Sequence, residues 1–108
     1  MKASLGALEQ MVLLALMRLG DDAYGVPIRD AIEQRTSRPV TPGAVYTALS
    51  RLEARELVTS RFGEPTAERG GKRKRHYAIE PAGLELLQRC FRELRAMADG
   101  LEPRLEEG

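Results

Sequence analysis

Residues 41–58 read TPGAVYTALSRLEARELV and carry the strongest helix signal in the 108-residue chain. Thr41 is a good N-cap residue, and Pro42 then takes the first helical position, where its missing N–H costs nothing. Val45, Leu49 and Leu52 recur at intervals of four and three residues, which predicts one buried face. The opposite face carries small, polar and basic residues: Gly43, Thr47, Ser50, Arg51 and Ala54. We therefore predict a helix that is packed on one side and open to close approach on the other.

A turn-rich and strongly basic segment follows this helix. Residues 57–63 (LVTSRFG) alternate as a strand does, residues 64–71 (EPTAERGG) are rich in turn formers, and residues 72–79 (KRKRHYAI) predict the returning strand. A helix with a polar outer face followed by a basic β-hairpin is the layout of a winged helix-turn-helix. The predicted fold is mainly α with a small β-wing, built from a three-helix core and a two-stranded wing.

Two helices are predicted before this unit. The first runs from about Leu5 to Leu19, and the second runs from about Tyr24 to Arg35 with Asp22 as its expected cap. The first helix is apolar on nearly every side, and such a helix must be covered on every side. One small domain covers only one face, so the sequence implies a second partner surface.

The last helix, which begins near Pro81, carries a heptad-like apolar stripe. Together with the first helix it gives two uncovered apolar surfaces, which predict a homodimer. The expected interface residues are Leu8, Val12, Leu84, Leu87, Phe91, Leu94, Ala98 and Leu101. The expected division is a winged helix-turn-helix DNA-binding domain at 1–79, followed by a dimerisation helix and tail at 80–108.

The charge distribution points to nucleic acid, although the net charge is only +1. Residues 35–77 carry ten basic and four acidic groups, a net of +6, whereas residues 1–34 carry −2 and residues 78–108 carry −3. A localised basic region is the electrostatic footprint of a nucleic-acid-binding surface. The sequence therefore predicts double-stranded DNA as a partner.

Several other classes of protein are disfavoured by composition. The longest apolar run, residues 11–17, is too short to span a bilayer, and no signal peptide is recognisable. A single cysteine cannot form an internal disulfide, which fits a reducing cytoplasm. His76 has no metal-ligand neighbours in sequence, Cys90 lies on the apolar stripe, and no phosphate-binding loop motif is present. We expect no enzyme activity, no metal and no cofactor.

The expected DNA contacts lie on the third helix and on the wing: Thr41, Gly43, Tyr46, Thr47, Ser50, Arg51, Arg69, Lys72, Arg73, Lys74 and Arg75. Arg51 can pair bidentately with guanine or can hold a phosphate. Strand alternation separates Lys72 and Lys74 from Arg73 and Arg75, so only one pair is expected to face DNA directly. Taken alone, the basic run also suits a solvated strand edge. For Tyr46, core packing and phosphate contact are equally supported.

Four sequence segments resemble the PadR family of bacterial transcriptional regulators, in particular its short-form members. They are LGALEQMVLLAL (5–16), YGVPI (24–28), GAVYTALSRLE (43–53) and HYAIEPAG (76–83), and the resemblance extends over roughly residues 5–101. It implies a homodimeric winged-helix repressor whose last helix forms the dimer and whose operator is an inverted repeat.

The chain departs from that family pattern at three points. Thr47 stands where many members have proline, and Glu56 stands where many have a glycine suited to a left-handed helix exit. Some short-form members stack planar drugs on a tryptophan, which this chain lacks. We therefore expect a small hydrophobic effector, if one exists, to bind only weakly.

A winged-helix module that binds other proteins and not DNA is the alternative function. Such a module has no need of positive charge concentrated on one helix and its wing, so the charge pattern favours DNA.

Overall fold

A computed structural model describes residues 4–63 and 73–107 of the chain. The elements in chain order are α1 (Ala7–Leu19), α2 (Gly25–Thr36), α3 (Pro42–Ala54), β1 (Val58–Phe62), β2 (Arg75–Ile79), α4 (Pro81–Ala98) and the short α5 (Glu102–Leu105). The predicted fold is confirmed: three helices are followed by a two-stranded antiparallel wing and a long C-terminal helix. The division at residue 80 stays a prediction.

The core lies between α1, α2 and α3, which contact one another pairwise. Its largest fully buried side chains are Val12, Leu13, Ile28, Val45, Leu49 and Leu52. Fully burying an aliphatic side chain of this size stabilises a fold by about 1.5–3 kcal/mol. Because α3 contributes three of these six residues, its inner face is held firmly and its outer face has a fixed direction.

The wing is tied to the core at its base. Val58 pairs with Ile79, Ser60 with Tyr77 and Phe62 with Arg75 on one face of the hairpin. The Tyr77 N–H also donates a hydrogen bond of 2.8 Å to the carbonyl oxygen of Ala23, in the segment before α2. The wing therefore starts from a fixed position beside the N-terminus of α2.

The starts of α2 and α3 differ in how they are capped. The Thr41 side chain accepts a hydrogen bond of 3.1 Å from the Ala44 N–H, so the predicted cap of α3 is confirmed. The prediction that Asp22 caps α2 is wrong, because Tyr24 occupies the N-cap position and makes no side-chain cap. Asp22 instead ends a 3-10 turn (Gly20–Asp22), whose last carbonyl accepts from the Tyr24 N–H. That turn uses the residues that would otherwise have capped the helix.

The end of α3 places a glutamate in a left-handed conformation. Glu56 has φ +59, which is the conformation that a glycine would adopt easily. The Leu57 N–H donates to the Leu52 carbonyl at 2.9 Å, and the Glu56 N–H donates to the Glu53 carbonyl at 2.9 Å. These two bonds form a Schellman motif. The chain therefore makes the turn that a glycine would make without strain, and the backbone is strained at Glu56.

The first turn of α4 lies directly on the backbone of Leu57. The Glu80 N–H donates a hydrogen bond of 2.9 Å to the Leu57 carbonyl oxygen. A Cβ atom added at Gly83 would overlap that same oxygen and would lie 3.1 Å from the Ile79 side chain. This close approach brings Leu86 and Leu87 into the core.

Candidate nucleic-acid interface

The outer side of α3 and its cap is exposed to solvent. We call this surface the recognition face; its residues are Thr41, Gly43, Tyr46, Thr47, Ser50 and Arg51, all exposed. Val45, Leu49 and Leu52 are buried on the inner side, as the helical spacing predicts. Within the residues that the structure describes, the side chains of Thr47, Ser50 and Arg51 have no hydrogen-bond or ion-pair partner. Their donors and acceptors are therefore available to a ligand.

Tyr46 is partly packed and partly exposed. The hydroxyl end of its ring lies against Gly25 at the start of α2, where an added Cβ would come within 2.5 Å of the Tyr46 hydroxyl oxygen and 2.9 Å of the Cζ atom. Half of the side chain, 50%, stays exposed. The hydroxyl end of the ring therefore packs on the backbone of α2. Phosphate contact by Tyr46 stays a prediction.

The basic residues that lead into β2 point in alternating directions, as strand geometry predicts. The guanidinium groups of Arg73 and Arg75 both lie 5.6 Å from the centre of the Phe62 ring. The Lys74 ammonium lies on the other side, 4.5 Å from the centre of the Tyr24 ring and 3.3 Å from its hydroxyl oxygen. The wing thus presents Arg73 and Lys74 in two directions, both exposed. Arg69 and Lys72, two further expected contacts, lie outside the described residues.

Arg75 differs from Arg73 and Lys74 in having a carboxylate partner, whereas the Arg73 Nε–H donates a hydrogen bond of 2.9 Å to the Gly63 carbonyl oxygen. The Arg75 Nη2 atom lies 3.2 Å from Glu53 Oε1, and the Arg75 Nε–H donates a hydrogen bond of 2.9 Å to Ser60 Oγ. The guanidinium also lies 5.9 Å from the centre of the Tyr77 ring. Burial raises the pKa of the Tyr77 hydroxyl, and the neighbouring Arg75 charge opposes that rise. The sequence pairs Arg75 with Arg73 as one of two possible DNA-facing pairs, whereas in the structure the Arg75 guanidinium is bonded to Glu53 and Ser60.

Tyr24 and His76 connect the wing to the turn before α2. The His76 Nδ1 atom lies 2.8 Å from the Asp21 carbonyl oxygen. A carbonyl only accepts, so this ring nitrogen carries the proton. The Tyr24 and His76 rings lie 5.3 Å apart between centres. These contacts favour a structural role for both residues.

Arg38 is a basic residue near α3 that the sequence analysis did not select. It is exposed in the loop before α3 and lines a shallow depression of about 440 Å³ together with Thr47 and Arg51 of α3 and the start of α1. The sequence signal that could have identified Arg38 is its position within the basic segment 35–77. Arg38 therefore adds positive charge beside the recognition face.

The expected dimer-interface residues fall into three groups, which are buried, partly buried and exposed. Val12 is 0% and Leu87 is 6% exposed in the core of a single chain, so the expectation that they form an interface needs correction: the chain itself already covers them. Leu8, Leu84 and Ala98 are partly buried. The remaining three, Phe91, Leu94 and Leu101, are exposed, and so are four apolar residues of α1, α4 and α5 that the prediction omitted: Leu14, Met17, Met97 and Leu105.

Within residues 4–63 and 73–107, no three His, Cys, Asp or Glu side chains lie close enough together to hold a metal ion. None of the helices in this part of the chain is long and apolar enough to cross a membrane. Cys90 is a free, partly buried thiol that packs against the core.

A helix-turn-helix with an exposed recognition face and an attached two-stranded wing defines the class of winged-helix proteins. The sequence pattern of the transcriptional regulator PadR-like family matches residues 13–89, well over half of the chain. The chain therefore belongs to this family, which is a family of transcriptional regulators and not of enzymes.

Solved structures agree with this assignment of the fold. A PadR family transcription regulator from Clostridium difficile has a TM-score of 0.75 and 23% identity, over 93% of this chain and 99% of that one. A transcriptional regulator from Clostridium thermocellum has a TM-score of 0.72 and 24% identity, over 89% and 90% of the two chains. A PadR-like transcriptional regulator from Bacillus cereus has a TM-score of 0.69 and 23% identity, over 95% and 94%.

One sequence relative is more similar over a shorter length. It is an uncharacterized 37.1 kDa protein in transposon TN4556 of Streptomyces fradiae, 42% identical over 78 residues. These residues make up 71% of this chain and 21% of that protein. The chain thus spans about a fifth of the length of this relative.

Proposed function

We propose that this protein binds DNA sequence-specifically as a homodimer and acts as a cytoplasmic transcriptional repressor at an inverted-repeat operator. The observation that carries the proposal is the recognition face. Its Thr47, Ser50 and Arg51 side chains are exposed and without hydrogen-bond or ion-pair partners among the described residues, and a basic wing stands beside it. Repression and the inverted repeat are supported by the resemblance to PadR regulators.

The recognition face suits the major groove. In helix-turn-helix proteins the N-terminal part of the recognition helix, which is α3 in this chain, meets the base edges. Thr47, Ser50 and Arg51 lie within the first three turns of α3. Thr47 and Ser50 are small enough to allow close approach and can bond either a base or a phosphate. Arg51 has five donors and can pair bidentately with guanine, which is worth about 1–3 kcal/mol of discrimination.

The wing suits the phosphate backbone. Arg73 and Lys74 are exposed cations in the two positions before β2, and neutralising phosphates releases counterions from DNA. The contact between Lys74 and the Tyr24 ring is worth only about 0.5–1 kcal/mol at an exposed site. Lys74 can therefore exchange this contact for a phosphate at little cost.

A second copy of the chain is the proposed partner of the exposed apolar surface. Phe91, Leu94 and Met97, in the second half of α4, are 59%, 68% and 79% exposed. Three large apolar side chains on adjacent turns of one helix favour association, because pairing two such helices removes apolar area from water. A two-fold dimer presents two identical recognition faces, which explains why an inverted repeat is the matching operator.

A small hydrophobic effector belongs to the proposal only as a weak ligand. Apolar helices at the centre of a dimer can enclose a concave apolar site, which is the usual form of a ligand pocket. Without tryptophan the chain lacks the strongest stacking residue for planar compounds.

The test begins with DNA fragments selected by the purified protein from a random duplex library. Fluorescence anisotropy then compares the selected duplex with a scrambled duplex at matched salt, while light scattering gives the mass of the free protein. We expect a dimer that prefers the selected duplex by about a thousandfold or more. No binding to any duplex, even at low salt, would reject DNA binding and leave the protein-interaction module as the better reading.

A further inference from the structure

We propose that Glu53, Ser60 and Arg75 form a brace that fixes the wing against the end of α3, so that Arg75 is a positioning residue and not a phosphate contact. We call these three residues the wing brace. This inference rests on the proposed DNA-binding function, because the brace matters for DNA by setting the distance between the recognition face and the basic residues Arg73 and Lys74 of the wing.

The wing brace joins three separate elements. Glu53 lies in the last turn of α3, Ser60 in the middle of β1 and Arg75 at the start of β2. Ser60 Oγ donates a hydrogen bond of 2.6 Å to Glu53 Oε2 and accepts one of 2.9 Å from Arg75 Nε. Arg75 Nη2 closes the ring to Glu53 Oε1 at 3.2 Å. Each member thus contacts both of the others.

Aromatic rings support the same guanidinium from the strand side. Arg75 lies 5.6 Å from the centre of Phe62 and 5.9 Å from the centre of Tyr77, which is buried at the base of the wing. A lone ion pair at this exposure would contribute little to stability. Here the planar guanidinium is held by a carboxylate, a hydroxyl and two rings together, an arrangement that the flexible point charge of a lysine cannot reproduce.

The brace also accounts for an acidic residue beside a DNA-binding surface. A carboxylate next to the recognition face repels phosphates, so Glu53 alone would weaken DNA binding. Through Arg75 it does the opposite, because it holds the wing where Arg73 and Lys74 can reach the same duplex as α3. The sign of the Glu53 effect on affinity therefore separates the two roles.

The DNA-binding test uses substitutions that change bonding while controlling for charge. Glu53→Gln removes the carboxylate of the wing brace. Glu56→Gln removes a carboxylate three residues later, which has no hydrogen-bond or ion-pair partner among the described residues. Arg75→Lys keeps the positive charge but loses the fork. We expect Glu53→Gln and Arg75→Lys each to weaken operator binding about fivefold, and the double variant to be no weaker than either, because both break one unit. Glu56→Gln is expected to leave affinity unchanged or slightly higher.

The opposite pattern would overturn the proposal. If Arg75 acts on phosphate by its charge, Arg75→Lys retains full affinity and Glu53→Gln binds more tightly, as Glu56→Gln does. Circular dichroism of each variant establishes that it is folded. Additive losses in the double variant would likewise show that Glu53 and Arg75 act separately.

A measurement without DNA separates this proposal from the proposed function. In the free protein the Arg75 Nε–H should give a discrete, slowly exchanging nuclear magnetic resonance signal that is lost in both Glu53→Gln and Ser60→Ala. The signal should persist when operator is added. Its absence from the free wild-type protein, or its movement to a phosphate-bonded position in the complex, would reject the wing brace. Wild-type protein that shows the signal but binds no duplex would instead reject DNA binding, and with it the role of the brace in DNA binding.

Discussion

Replacing Glu56 by glycine should stabilise the fold, although glycine in the middle of a helix usually destabilises it. Glu56 holds φ +59 at the turn after α3, and the left-handed conformation costs a residue with a Cβ atom about 1–2 kcal/mol. Glycine avoids that cost but gives the unfolded chain extra backbone freedom worth about 0.4–1 kcal/mol. The net gain is therefore about 0.5–1 kcal/mol, and the Schellman hydrogen bonds from Glu56 and Leu57 are retained.

The assay is thermal and urea unfolding at one fixed protein concentration, since a dimer's apparent stability depends on concentration. For a chain of this size the gain corresponds to a rise in Tm of about 2–6 °C. Glu56→Ala is the matched control, because it removes the side chain and keeps the strained backbone. Glu56 shares a surface depression with two other carboxylates, Glu53 and Glu80, so loss of charge alone could also stabilise. An increase of equal size in Glu56→Ala would assign the effect to charge, and a decrease in Glu56→Gly would refute the backbone argument.

Three further outcomes follow from the structure. Leu94→Asp should give monomers or insoluble protein in light scattering, because it places an unpaired charge in the proposed interface; a soluble and stable dimer would place the partner surface elsewhere. Arg73→Ala with Lys74→Ala should reduce the slope of log affinity against log salt concentration by about 0.9 for each lost phosphate contact. An unchanged slope would show that these two basic residues do not contact DNA. Gly83→Ala should destabilise the folded state by about 3 kcal/mol or more in urea unfolding, because the new Cβ would meet backbone that cannot move aside. The control is Ala82→Ser at the exposed neighbouring position, whose stability should stay near wild type. Equal stability of the two variants would contradict the close packing of α4.

The order and type of the elements could be predicted because their signals are local. The buried face of α3 follows from the spacing of Val45, Leu49 and Leu52, and its start follows from Thr41 and Pro42, so the helix and its outer face were confirmed. The basic wing could be recognised in the same way, from turn residues between two alternating segments. In each case the residues that decide the element lie within a few positions of one another.

Pairings across the fold could not be predicted. Nothing near Arg75 in sequence shows that Glu53, 22 residues earlier, is its partner, because the hairpin brings the two together. The dimer stripe failed at Val12 and Leu87 for a related reason. A heptad pattern shows which residues share a helix face, but it does not show how much of that face the chain's own core covers. The prediction that Asp22 caps α2 was wrong because a 3-10 turn competes for the same residues.

Removing the polar side chains of the recognition face tests the central claim most directly. Thr47→Ala, Ser50→Ala and Arg51→Ala together change exposed side chains only, so the fold and the dimer should be unchanged by circular dichroism and light scattering. The measurement is the ratio of affinities for the selected operator and a scrambled duplex at matched salt. If α3 reads the operator, the triple variant loses most of that ratio, at both half-sites alike, while weak salt-dependent binding to either duplex remains. A triple variant that keeps the wild-type ratio would show that this helix does not read the operator.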